Sequence, residues 1–71
     1  MKYLVVVERG DTGCSAYVPD IPGCIAAGDS REDVLVLIKE AIEIHLEALE
    51  EEGSPIPEPH SEGAVVDVTA A

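Results

Sequence analysis

"VPDIPGCIAAGDSREDVLVLIKEAIEIHLEALEEEG", residues 18–53, is the stretch that decides the fold. Its first seven residues contain Pro19, Pro22 and Gly23. Each proline fixes a φ angle, and Gly23 can adopt the positive φ that a Pro-Gly type II turn requires. A corner pre-ordered in this way loses little conformational entropy on folding. It separates two short runs, about Cys14 to Val18 and Cys24 to Ala27, that read as paired strands. Ser30 is the expected N-cap of a helix over about Arg31 to Glu52. Glu32 and Asp33 in its first turn suit the positive end of the helix dipole, and Asp33 sits at the capping-box position. Gly53 closes the helix as C-cap, with Pro55 beyond it.

At 3.6 residues per turn, Val34, Leu35, Ile38, Ala41, Ile42, His45, Leu46 and Leu49 share one helix face. Lys39, Glu40, Glu43, Glu47, Glu50 and Glu51 lie opposite. Leu37, Ile44 and Ala48 widen the apolar stripe beyond what one small sheet face requires.

Upstream, "KYLVVVE", residues 2–8, reads as a β-branched strand ended by the turn signal "RGDTG". Tyr3, Val5 and Val7 point one way while Leu4 and Val6 point the other, the pattern of a central strand covered on both sides. Downstream, residues 53–63, "GSPIPEPHSEG", form an extended, proline-rich connector, and residues 64–69, "AVVDVT", read as a last short strand. The expected order is β-β-β-α-β, an α+β domain spanning residues 1–71 in which one long helix covers one face of a small antiparallel sheet. The last strand is placed parallel to the first. A single helix leaves the other face of strand one uncovered, which implies a homo-oligomer, a dimer or a tetramer.

The chain has 71 residues, with 15 acidic and 4 basic side chains and a formal charge of -11. Affinity for nucleic-acid phosphates and anionic membranes comes mainly from Lys and Arg, so direct binding to either is not expected. The charge favours a basic partner, steered at long range. The apolar run Leu4 to Val7 is too short for a signal peptide or a membrane span, which points to the cytoplasm.

No catalytic constellation emerges, and neither a metal nor a cofactor is expected. A hairpin turning near Ile21 sets Cys14 opposite Gly28 and Val18 opposite Cys24, so the two cysteines read as small buried side chains, not as a disulfide. His45 has only apolar neighbours three and four residues away, which suits a packed or interfacial histidine better than a metal ligand. The acidic residues are spread over the outer helix face, strand ends and turns. A two-metal nuclease needs carboxylates that converge.

"AYVPDIPGCIAAGDSREDVLVLIKEAIEIHLEALEEEGSPIPEP", residues 16–59, resembles the HicB family of antitoxins, through "VPDIPGC", "GDS" before an acidic helix start, "AIEIHLEALEEEG" and "IPEP". The resemblance implies a truncated ribonuclease H-like fold and a small basic ribonuclease toxin (HicA-like) as partner. Many members of that family carry a C-terminal DNA-binding domain; no such module is expected within these 71 residues. Catalysis in the ribonuclease H superfamily begins with an aspartate in mid-strand one, where this chain has Val5 and Val6, so the resemblance points to binding and not to an enzyme. Asp20, Asp29, Glu43, Glu47 and Glu50 are the expected contacts to the toxin. Pro19, Pro22 and Gly23 are expected to shape the turn. The competing readings are a standalone homo-oligomeric module with no toxin and a residual metal-dependent nuclease.

Overall fold

In the computed structural model, which describes residues 1–70, the Pro-Gly corner consists of two successive β-turns. Ile21 N–H donates to Val18 O and Cys24 N–H donates to Ile21 O, each at 3.1 Å. Pro19 and Pro22 therefore both occupy the second turn position, where their fixed φ is already correct. Gly23 follows with φ 82°, as the type II turn demands. Val18 N–H to Cys24 O, 3.1 Å, closes the corner at its base.

Three strands flank these turns: β1 (Val6–Arg9), β2 (Cys14–Tyr17) and β3 (Ile25–Gly28). They form an antiparallel sheet in the order β1-β2-β3. Cys14 pairs with Gly28, as the hairpin spacing predicts, and both cysteines are free. Burial pushes the Cys24 thiol pKa up, which keeps that sulfur protonated and unreactive.

Helix α1 (Arg31–Glu52) has the predicted bounds, and its ends explain why. Ser30 is extended, and its Oγ accepts a 3.1 Å hydrogen bond from Asp33 N–H. At the other end Gly53 N–H donates to Glu50 O and Ser54 N–H to Leu49 O, the two bonds of a Schellman motif. Ser30→Ala should lower stability by about 1 kcal/mol in urea unfolding, the usual worth of a serine N-cap.

The core lies between α1 and the corner. Ala16, Val18, Ile21, Cys24, Val34 and Ile38 are buried, with Tyr3, Val5, Val7, Leu35, Ile42 and Leu46 packed around them. The helix lies over β2 and β3, not over β1. As a result the predicted apolar stripe is only partly used. Val34 and Ile38 are buried, Leu35, Ile42, His45, Leu46 and Leu49 are half-buried, and Leu37, Ile44 and Ala48 on the flank are exposed.

Two expectations about strands are corrected. The first strand starts at Val6, not Lys2, and is an edge strand, not a central one. The last strand, expected over residues 64–69, does not form: these residues are exposed and join no ladder. The two corrections have one cause, because the first strand becomes central only if the last one pairs with it. Ala71, the end of the expected domain, lies outside the described residues. No helix among the described residues is long and apolar enough to cross a membrane.

Candidate protein-binding surface

The outer face of α1 concentrates charge of one sign. Glu40, Glu43, Glu47, Glu50 and Glu51 are all exposed there. All four Lys and Arg residues precede Glu40, whereas nine of the acids lie between Glu40 and Ala71. The last helical turn contains acids and no basic residue.

This arrangement opposes helix stability. Glu43 and Glu47 are four residues apart, as are Glu47 and Glu51, and like charges at that spacing cost a few tenths of a kcal/mol per pair. Glu50, Glu51 and Glu52 also sit at the negative end of the helix dipole, where an acid is unfavourable by about 0.3–1 kcal/mol. Folding energetics alone would not choose such a face. A cationic partner would relieve both penalties.

At the opposite end of the helix the surface is mixed. Arg9, Asp11, Asp29, Arg31 and Glu32 line an open hollow of about 620 Å³ beside the β1–β2 turn. Asp29 is exposed there, just before the N-cap. It is therefore well separated along the helix from Glu47 and Glu50, and the predicted acidic contacts do not form one cluster.

Asp20 is a correction. Its exposure was expected, but its side chain is only 1% exposed and is held within the chain. Oδ2 accepts from His60 N–H at 2.8 Å and from Ser61 N–H at 2.9 Å, and Oδ1 accepts from Ser61 Oγ at 2.6 Å. His60 Nδ1 lies 3.2 Å from Oδ1, forming an ion pair when the imidazole is protonated. Asp20 directly follows Pro19 in the corner, and its carboxylate is aimed at the proline connector. It acts as a latch for that segment, and Tyr3 Oη adds a hydrogen bond to Pro57 O.

The Ser61 hydroxyl, the Ser61 amide and then the His60 amide and charge pull the Asp20 pKa down from 3.8 to about 2, against the opposing effect of burial. A depressed carboxylate pKa contributes stability above the unfolded value that is lost as pH falls through the folded one. The connector should therefore stay docked above about pH 4 and release toward pH 2. Ser61 amide shifts followed by NMR should titrate in that window, and Asp20→Asn should abolish the titration and leave the connector undocked at neutral pH.

The sequence pattern carried no sign of this latch, because its two halves are about 40 residues apart. His45 is half-buried on α1. Among the described residues no group of three His, Cys, Asp or Glu side chains could hold a metal ion. The sheet face away from α1 is mixed: Val6, Tyr17 and Ile25 align across the three strands, with Ile25 71% exposed, and Glu8, Ser15 and Ala27 form the next row.

A family model described as the HicB-like antitoxin of bacterial toxin-antitoxin systems matches residues 3–69. The chain belongs to the HicB-like antitoxin family. A UPF0150 protein of Thermoplasma acidophilum is 34% identical over 67 residues, covering 93% of this chain and 97% of that protein. Antitoxin HicB 2 of Photorhabdus laumondii is 35% identical over 72 residues, covering 100% of this chain and 52% of that antitoxin. The chain thus spans about half the length, or less, of some of its relatives. Among solved structures, a chain of the HicA3 and HicB3 toxin-antitoxin complex matches with a TM-score of 0.71 and 37% identity, over 84% of this chain and 70% of that one. The sheet and helix described above are therefore those of a HicB-like antitoxin.

Proposed function

We propose that this HicB-like chain is a non-catalytic antitoxin that binds and neutralises a small basic ribonuclease, a HicA-like toxin, in the cytoplasm. The observation that carries this reading is the acidic outer face of α1, which includes Glu43, Glu47 and Glu50 and has no cation from Glu40 onward. A ribonuclease that holds RNA by its phosphates needs a basic surface, and a helix with this charge complements it. Neutralisation then combines long-range attraction with steric occlusion of the RNA-binding face. Asp29 would contribute from the helix N-terminal end. The family membership and the relative solved together with HicA3 support the partner class.

A metal-dependent nuclease is disfavoured by the placement of the carboxylates. Those on α1 are exposed to solvent, and Asp20 is engaged by the connector. The same negative surface disfavours direct contact of these residues with nucleic acid.

The test is a binding and cleavage assay with a purified HicA-like protein from the same genome. A complex that weakens with added salt and suppresses RNA cleavage is expected. Absence of binding at low ionic strength, where electrostatic attraction is strongest, would remove the antitoxin reading.

A further inference from the structure

The helix lies over β2 and β3, which leaves β1 with an open edge on one side of the core. Next to that edge, beside the residues that lead into β1, lies an apolar groove of about 420 Å³, walled by Tyr3 and Val5 below and by Leu35, Ile42 and Leu46 above, with Lys39 and Glu43 at its rim. Among the described residues nothing pairs with the outer edge of β1. Edge and groove together supply two properties of a vacant strand position: an unpaired backbone edge at β1 and, at the residues leading into it, an apolar wall.

The same chain has an unpaired strand-like segment. Residues 64–69 are Ala-Val-Val-Asp-Val-Thr, in which Val65 is fully exposed and Val66 and Val68 are 74% and 75% exposed. In an extended segment Ala64, Val66 and Val68 share one face, while Val65, Asp67 and Thr69 share the other. The first set is apolar throughout and suits the groove; the second contains the two polar residues.

Gross dimensions show that the chain is not closed on itself. A folded monomer of 7.5 kDa should expose about 4,200 Å², whereas this one exposes 5579 Å². Its radius of gyration is 14.2 Å against about 11 Å for a compact chain of this length. The surplus surface, on the order of 1,300 Å², exceeds the ~800 Å² per partner of a standard interface.

The Asp20 latch fixes where the segment starts. It pins His60 and Ser61 at the corner, and Gly63 follows against the Leu4 side chain beside the start of β1. From there the tail leaves its own sheet. The edge of β3 is a poorer destination, because the hollow beside it is bordered by Asp29 and Asp33, which would repel Asp67.

We infer that residues 64–69 of one copy add as a strand to the β1 edge of a second copy, with Val66 and Val68 in the groove beneath Leu35, Ile42 and Leu46. Two copies exchange tails reciprocally about a two-fold axis, and β1 becomes central in each sheet. This pairing does not depend on the antitoxin reading, because it involves no toxin.

Sedimentation of the full chain at micromolar concentration should give twice the 7.5 kDa mass of one copy. Isotope-filtered NOEs in a mixture of labelled and unlabelled chains should connect Val66 and Val68 methyls of one copy to Ile42 and Leu46 methyls of the other. Val66→Lys with Val68→Lys lies outside the core and should leave the far-UV circular dichroism unchanged while raising the dimer dissociation constant by roughly 100-fold or more. Leu46→Glu should weaken the dimer from the groove side. A monomeric wild-type chain would overturn the exchange, as would a dimer unaffected by the lysine variant or NOEs confined to a single chain.

Discussion

Ile21→Ala is expected to lower stability by about 3 kcal/mol or more in urea unfolding, the cost of removing a buried isoleucine side chain and leaving a cavity. Ile21 is fully buried although it occupies a turn. The two β-turns of the corner share it, its amide closing the first and its carbonyl the second, so its backbone holds both bends while its side chain joins the buried cluster that contains Val34 and Ile38. Loss of that side chain removes packing from the centre of the core and the anchor of the corner together. A 71-residue domain has roughly 4 to 10 kcal/mol of total stability, so the variant should be close to unfolding at 37 °C. Truncating Ile25 instead, which is 71% exposed one residue after the corner, should change stability by less than about 0.5 kcal/mol in the monomer. Similar losses at the two positions would show that the corner is not organised around Ile21.

The second large effect is on binding. If the proposed HicA-like toxin is the partner, Glu47→Lys with Glu50→Lys should weaken affinity for it by roughly 30-fold at low salt, the gap narrowing as ionic strength rises. Both residues are exposed on the outer stripe of α1, away from the groove that Glu43 borders, so the tail exchange is left intact. The sign of the accompanying stability change is informative. Reversing these charges removes like-charge neighbours and places cations near the helix C-terminus, so the variant should be slightly more stable while binding less well. Titration calorimetry at two salt concentrations, paired with thermal unfolding, separates the two effects. Unchanged affinity would take the outer helix face out of the toxin interface.

Local chemistry accounts for what could be read from the sequence. Pro19, Pro22 and Gly23 specify their turns through their own φ preferences, and Ser30 and Gly53 set the helix ends through hydrogen bonds to residues within a few positions. Such features need no knowledge of the rest of the molecule. The limits of the first strand and the fate of residues 64–69 depend instead on which edge finds a partner. β-branched residues at Val5 or Val66 favour extended backbone without saying what lies beside it. The acidic stripe on α1 was legible from periodicity, and so was the apolar stripe, but how much of the latter is buried depends on where the helix crosses the sheet. Asp20 was misjudged for the same reason. An aspartate in a turn is ordinarily solvated, and only the return of the connector to the corner buries it.

That return alters the entropy of assembly. Without the latch, a tail beginning after Gly53 would search freely over residues 54–69 before finding a neighbour's edge. With His60 and Ser61 held by Asp20, the segment left to order on association begins after Ser61. Each residue already fixed spares roughly 1–2 kcal/mol of ordering cost at the moment two chains meet, and the shorter tether raises the effective concentration of the tail at a nearby edge. In the proposed tail-exchanged dimer the latch would act as a pre-organising tether as well as a fold contact, so Asp20→Asn should weaken that dimer even though Asp20 lies outside the exchanged strand.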